Sequence, residues 1–293
     1  MRSECVISNP APAAALVRAG VRPRKSRGQN FLTQPALANR IVHEARLTAG
    51  DAVLEIGPGL GLLTDALLAT PISRLILIEL DPRLAAALRE RVSAEPRATL
   101  IEGDFLELDS RETFPAEGGA VVLGNLPFNV ASAILERLCA MRAHISRMVL
   151  MFQHEVAERI RAEPGSRNYG ALSAFTALYW KVTGHFRVAA GSFHPRPKVD
   201  AEVLVFERIP RPLFEDAEER AVLETIRASF TAPRKMMRNS FANGLGLPPD
   251  QAEALLHAAK IDPSVRPALL ATADFVGLAR IIYMRHIAGL RDA

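Results

Sequence analysis

From Ala52 onward, short β-branched or leucine-rich runs alternate with stretches of helical periodicity. The runs are AVLEIG from Ala52, RLILIEL from Arg74, ATLIEG from Ala98, AVVLGN from Ala120 and SRMVLMFQ from Ser146. That order is the signature of a parallel α/β sheet. Between the runs, Leu60 to Ala69, Pro82 to Ala94 and Val130 to Met141 carry apolar residues at helical spacing, with Pro82 placed at a first helical turn. These predict crossover helices. After Trp180 the pattern changes to KVTGHFRVAA and AEVLVFERI, separated by a loop holding Pro195 and Pro197, which predicts added antiparallel strands and a sheet ending near Arg208. Two prolines fall between Ile209 and Leu213. Beyond Glu215 the chain is rich in Ala, Leu and Arg with helical periodicity, predicting a small all-helical domain.

With 293 residues, 49% of them hydrophobic, the chain has room for one large and one small domain. The expected division is a basic arm at 1–24, a main domain at 25–208 and a helical domain at 209–293. Net charge is only +4, but Arg18, Arg22, Arg24, Lys25 and Arg27 crowd into ten residues without an acid. Such an arm favours phosphate partners; a solvated, partly disordered terminus is the competing reading. Cys5 and Cys139 match no zinc or redox spacing, so neither a disulfide framework nor a metal site is expected, and a reducing cytoplasm fits. No apolar run reaches the roughly 18 residues of a membrane span. The Arg-rich first thirty residues would suit a transit segment, but Glu4, Pro10 and Pro12 argue against an amphipathic helix there.

The segment Glu55-Ile56-Gly57-Pro58-Gly59-Leu60-Gly61 follows a predicted strand and opens a helix. Its glycines permit a tight turn and close approach of a nucleotide-like ligand. A dinucleotide site would want G-x-G-x-x-G, but the third glycine comes one residue early and Leu62 stands in its place, which favours S-adenosyl-L-methionine over NAD. Glu79, about twenty residues on at the next strand end, can accept hydrogen bonds from both ribose hydroxyls. Asp81 competes, but strand alternation puts Glu79 nearer the binding edge. Asp104 ends the third strand and suits an adenine amino group, with Phe105 available to pack on the ring. A plain strand–helix turn and surface acids are the alternatives for each feature taken singly.

At the end of the fourth run stand Asn125, Leu126, Pro127 and Phe128. Methyl transfer from a sulfonium to an amine is an in-line displacement that depends on alignment. The amine of adenine is a poor nucleophile because its lone pair is delocalised into the ring. Acceptors must hold its hydrogens, and the Asn125 side-chain oxygen and Leu126 carbonyl are assigned that role. Pro127 stiffens the turn, and Phe128 stacks on the base. Such a pocket takes a base only out of its helix, so a nucleic acid substrate is expected. An ordinary loop with a core aromatic is the alternative for the tetrapeptide alone.

These motifs resemble those of the ribosomal RNA adenine N6,N6-dimethyltransferases that modify small-subunit RNA near its 3' end. The resemblance runs from about Arg24 to Asn239. It rests on Gly28-Gln29-Asn30-Phe31-Leu32, EIGPGLGLLT from Glu55, Gly103-Asp104, GNLPFNV from Gly124, QHEVAERI from Gln153 and GSFHPRPKVD from Gly191. It implies a Rossmann-like class I methyltransferase sheet with helices on both faces. The resemblance places Asn30 and Leu32 with Gly57, Glu79, Asp104 and Asn125 around S-adenosyl-L-methionine, and has Phe193 help sandwich the target adenine. It implies two adjacent adenines, each dimethylated, in an immature 30S-type particle, and a cytoplasmic enzyme, read here as a monomer.

Two departures stand out: Phe128 replaces a tyrosine, and AAGSF replaces a Pro-Pro-Gly lead into Phe193. A role for a phenol therefore cannot be carried over. Large-subunit antibiotic-resistance methylases share the Asn-x-Pro-aromatic step, but resemble EIGxGKG and NIPY more. A non-catalytic RNA-binding assembly factor is the competitor from another class. Near the C-terminus, Arg234, Lys235 and Arg238 lie in a stretch like the small-subunit group's basic helix start and are expected to meet phosphate. A solvated helix face is their bland alternative. Arg196 and Lys198 are expected to contact RNA. His154-Glu155 lacks the second histidine of H-E-x-x-H, since position 158 is Glu158.

Overall fold

The computed structural model describes Ala14, Leu16, Val17, Gly20, residues 29–109, Phe114 and residues 119–291, the side chains of 285–291 excepted. Seven strands form the main sheet: β2 (Ala52–Ile56), β3 (Arg74–Glu79), β4 (Ala98–Glu102), β5 (Ala120–Asn125), β6 (Ile145–Gln153), β7 (Trp180–Val188) and β9 (Ala201–Arg208). Their order is β4-β3-β2-β5-β6-β9-β7. The five strands from β2 to β6 pair in parallel, while β9 runs antiparallel to β6. All five predicted parallel runs are therefore strands, and the late change of pattern marks the antiparallel addition.

Helix α1 (Pro35–Glu44) precedes the sheet, and α2 (Leu62–Leu68), α3 (Pro82–Arg91) and α4 (Ala131–Ala140) supply crossovers. Ile41 and Val42 of α1 and Leu63 and Leu67 of α2 bury one sheet face, with Val53, Leu75 and Val121 beneath them. Leu54, Ile56, Ile76 and Val122, the alternate positions, are buried as well, so both faces are covered. The predicted α2 starts late, at Leu62, because Gly61 adopts φ 78° as its N-cap. Asp81 caps α3, accepting from the Arg83 N–H at 3.1 Å, and Pro82 occupies the first turn as expected.

A two-residue ladder escaped the sequence pattern. β1 (Phe31–Leu32) pairs antiparallel with β8 (Phe193–His194), setting Phe31 opposite His194 and Leu32 opposite Phe193. Two residues carry no periodicity. Leu16 is buried in a small cluster with Phe31 and Leu84, and the Gly20 carbonyl accepts from Arg83 Nη1 at 2.7 Å. The rest of the basic arm and Gly28 lie outside the described residues.

The chain divides into two compact units: one runs to Ala157 and adds Val182–Glu207, and the other comprises Glu158–Lys181 and the chain from Arg208. The second unit contains α6 (Ala171–Ala177), α7 (Glu219–Ser229), α8 (Met237–Leu245), α9 (Pro249–Ala258) and α10 (Thr272–Arg291). Helix α5 (His154–Ile160) spans the sequence boundary at Ala157. One unit boundary falls between Glu207 and Arg208, one residue before the expected division at 208/209, and residues 158–181 cluster with the helices. The cause is aromatic packing: Tyr169 meets Phe230 edge-on at 6.1 Å, and Tyr179 meets Phe214 at 5.9 Å.

Candidate active site

The sheet changes winding direction at β2, which has β3 on one side and β5 on the other. In open α/β sheets ligands bind beyond the carboxyl ends of strands at such a point. Here the turn after β2 brings Gly59 against Phe31: a Cβ on Gly59 would lie 2.9 Å from two ring atoms, and its φ is 58°. Only glycine fits both conditions.

Glu79, at the end of β3, is 5% exposed. Its Oε2 accepts from the Gly59 N–H and its Oε1 from the Asp81 N–H, each at 2.9 Å. Burial raises its pKa, and these backbone donors oppose the rise. Asp81, the competing acid, is committed to the cap of α3. Two residues beyond β4, Asp104 Oδ1 accepts from the Leu106 N–H at 2.9 Å. The neighbouring Phe105 is buried, with Arg137 Cζ 5.9 Å from its ring centroid.

At the end of β5, Asn125 Nδ2 donates to the Asn30 carbonyl at 2.8 Å. A cavity of about 100 Å³ opens here. Asn30, Gly57, Glu79 and Asp104 line it from the Gly-loop side, and Asn125, Leu126, Pro127 and Phe128 complete the wall from β5. Apolar contributors to which the sequence reading gave no site role are Phe31, Ile78, Leu80, Leu84, Val130 and Ile134. Strand-end and helix-start positions signal such walls only once strand order is known.

Leu32 lies elsewhere. It lines a second, smaller cavity of about 30 Å³, together with Glu55, and that cavity shares Phe31, Gly57, Gly59 and Asn125 with the larger one. Phe193 lines neither cavity. Its ring is 4% exposed in the core beside the sheet, because its pairing with Leu32 turns it inward, and partly buried Phe128 packs against the same cluster.

Within the helical unit, exposed Arg234 lines a cleft of about 940 Å³ with Arg159, Arg167 and Arg266. Tyr169 and Asn168 also line it. Lys235 and Arg238 are exposed but do not line this cleft, and Arg238 Nη1 lies 3.7 Å from Glu253. Sequence reading found one of the four arginines. The others come from segments distant in the chain, and no local motif joins them.

A family model for ribosomal RNA adenine dimethylases matches residues 20–283. The chain belongs to that family. Among curated relatives of this dimethylase, the ribosomal RNA small subunit methyltransferase A of Geobacter sulfurreducens is 41% identical over 264 residues, covering 89% of this chain and 95% of the relative. The protein of that name from Geobacter metallireducens is 39% identical, covering 89% and 96%. Among solved structures, a dimethyladenosine transferase from Plasmodium falciparum matches with a TM-score of 0.74 and 25% identity, over 87% of the dimethylase and 98% of that chain. The 23S rRNA methyltransferase ErmE matches with a TM-score of 0.63 and 27% identity, over 87% and 100%. Among the described residues of this dimethylase, no helix is long and apolar enough to cross a membrane, and no group of three or more His, Cys, Asp or Glu side chains could hold a metal ion.

Proposed function

We propose that this chain transfers methyl groups from S-adenosyl-L-methionine to N6 of two adjacent adenines, each dimethylated, near the 3' end of small-subunit ribosomal RNA. The observation that carries this reading is one cavity walled by Glu79 and Asp104 on one side and by Asn125 to Phe128 on the other. Bound there, the cofactor supplies an electrophilic methyl group on a sulfonium. The residues fit it: a buried carboxylate at Glu79 suits ribose hydroxyls, and Asp104 beside Phe105 suits an adenine edge and face. Gly57 gives close backbone approach, with Asn30, Leu32 and Asn125 around the amino-acid end.

On the substrate side, Asn125 donates through Nδ2 to Asn30, which leaves its Oδ1 to accept a hydrogen from the target amine. The Leu126 carbonyl accepts the other hydrogen, so the lone pair turns toward the methyl group. Phe128 stacks on the flipped base, contributing roughly 1 to 3 kcal/mol. Phe193 acts from behind, as part of the core against which Phe128 packs. Arg234, Lys235 and Arg238, joined by Arg159, Arg167 and Arg266, hold RNA phosphates. The partner is an immature 30S-type particle, the site of action the cytoplasm, and the working form a monomer.

Labelled methyl transfer to small subunits from a strain lacking this gene tests the reading, with mass analysis of the RNA. Dimethylated adenines near the 3' end of the small-subunit RNA are expected, and large-subunit RNA is expected to stay unlabelled. Tight subunit binding without transfer would favour an assembly factor instead.

A further inference from the structure

Arg137 on α4 has no part in the reaction outlined above, yet it reaches the wall assigned to the cofactor's base. It lies one helical turn beyond Ile134, which lines the larger cavity. A cation in the last turn of a helix often does no more than complement the helix dipole. This one leaves its own helix. Arg137 Nη2 donates to the Leu108 carbonyl, and its Cζ lies 5.9 Å from the centroid of the Phe105 ring, inside the limit of about 6 Å for a cation–π contact. Its Nε is buried without a hydrogen-bond partner among the described residues. A buried donor left unmade is unfavourable, so the contacts to Phe105 and Leu108 are what hold the guanidinium there.

Both contacts fall on one turn of chain. The Asp104 carbonyl accepts from the Glu107 N–H at 2.9 Å and from the Leu108 N–H at 3.2 Å, and Asp104 Oδ1 accepts from the Leu106 N–H, so residues 104–108 close around Asp104. Asp104 and Phe105, at the start of this turn, line the larger cavity, and Phe105 is 4% exposed. Those internal bonds set the turn's shape. The bond from Arg137 to the carbonyl of Leu108, at the turn's end, ties it to α4, the helix that follows the Asn125 to Phe128 wall. We propose that Arg137 is a positioning residue for the cofactor's base. It holds the turn so that the Asp104 carboxylate meets the 6-amino group of adenine and the Phe105 ring meets the base. A carboxylate accepts from an amine and opposes a carbonyl oxygen, so through Asp104 the same tie sets a preference for a 6-amino over a 6-oxo purine. The proposal rests on the assignment of the larger cavity to S-adenosyl-L-methionine.

Titration calorimetry of the full chain tests this without turnover, using S-adenosylhomocysteine and S-inosylhomocysteine, whose base carries a 6-oxo group in place of the amine. Wild type is expected to bind the adenosine ligand roughly ten- to a hundredfold more tightly, as one hydrogen bond to a charged group allows. Arg137→Ala is expected to weaken S-adenosylhomocysteine roughly tenfold and to leave the inosine ligand within about twofold, so that the ratio collapses. Arg137→Lys keeps a cation and a donor and is expected to restore part of the ratio. Equal weakening of both ligands in Arg137→Ala, or an unchanged ratio, would overturn the proposal, because a cation that only stabilises the fold cannot tell the two bases apart. If Arg137→Ala does not fold, Arg137→Met keeps the packing of the stem and loses both contacts. A wild-type ratio in that variant overturns the proposal, and a lowered one supports it. Equal affinity of wild type for the two ligands would instead remove the adenine assignment on which the proposal rests.

Discussion

The Asn125 side-chain amide donates to the backbone carbonyl of Asn30 at 2.8 Å, tying the end of β5 to the segment just before β1. A carbonyl accepts only a donor, so this bond fixes which end of the amide faces it. Asn125→Asp keeps shape and an acceptor oxygen but loses the donor and sets a carboxylate against a carbonyl. We expect a fall in kcat on the order of a hundredfold from misalignment alone, well beyond the accompanying loss of S-adenosylhomocysteine affinity. Asn125→Ala should do no better. Single-turnover methyl transfer and calorimetry separate the two readouts; near-normal turnover in the Asp variant would remove Asn125 from its assigned role.

Phe128 is half-buried against the core and has a ring, with no hydroxyl, at the cavity wall. If its contribution is stacking, Phe128→Tyr should keep activity within a few-fold, whereas Phe128→Ala should lose roughly 1 to 3 kcal/mol of substrate binding. Equal losses in a methyl-transfer assay would argue that the ring acts only by filling the core.

The parallel strands, crossover helices and late antiparallel strands could be read from Val/Ile/Leu runs because burial on both faces demands them. Glu79, Asp104 and Asn125 were legible for the same reason, since each ends a recognisable run. Leu32 and Phe193 were named through the resemblance alone, and the direction of their side chains was not legible: a ladder of two residues has no period, and their pairing decides which way both turn. Nor could the sequence group Arg159, Arg167 and Arg266 with Arg234, because tertiary packing of the helical unit alone joins them.

Those arginines give a salt-dependence test. Changing Arg159, Arg167 and Arg266 together to Gln should weaken small-subunit RNA binding and flatten the plot of log affinity against log salt. The slope should fall by roughly 0.7 to 0.9 for each phosphate that is no longer neutralised. Cofactor affinity should stay the same. An unchanged salt slope would mean the cleft does not meet phosphate.

Gly244 of α8 sits against the backbone of Ala228 in α7, where an added Cβ would lie 2.4 Å from the Ala228 Cα and carbonyl oxygen. Backbone cannot yield as a side-chain tip can, so Gly244→Ala must push the helices apart. Overpacking of this kind costs about 1 to 3 kcal/mol, above any gain in helix propensity of about 1 kcal/mol. Denaturant unfolding should show the loss. A variant as stable as wild type would mean that α8 moves freely on α7.

Glu55 also predicts how stability depends on pH in the absence of ligand. Burial raises its folded pKa to about 8, above the ordinary 4.5, so between these values the folded chain holds a proton that the unfolded chain has released. Stability from this group is fully present below 4.5 and is lost as pH rises toward about 8. The slope can reach about 1.4 kcal/mol per pH unit for one proton. Glu79, also raised by burial, adds a slope of the same sign. Glu55→Gln stays neutral throughout and retains an oxygen for the Thr64 hydroxyl, so the Glu55 share should vanish while those of Glu79 and Asp65, both raised by burial, remain. Urea midpoints measured across this range should therefore fall more steeply for wild type than for the variant, and parallel curves would show that Glu55 is already ionised in the folded chain.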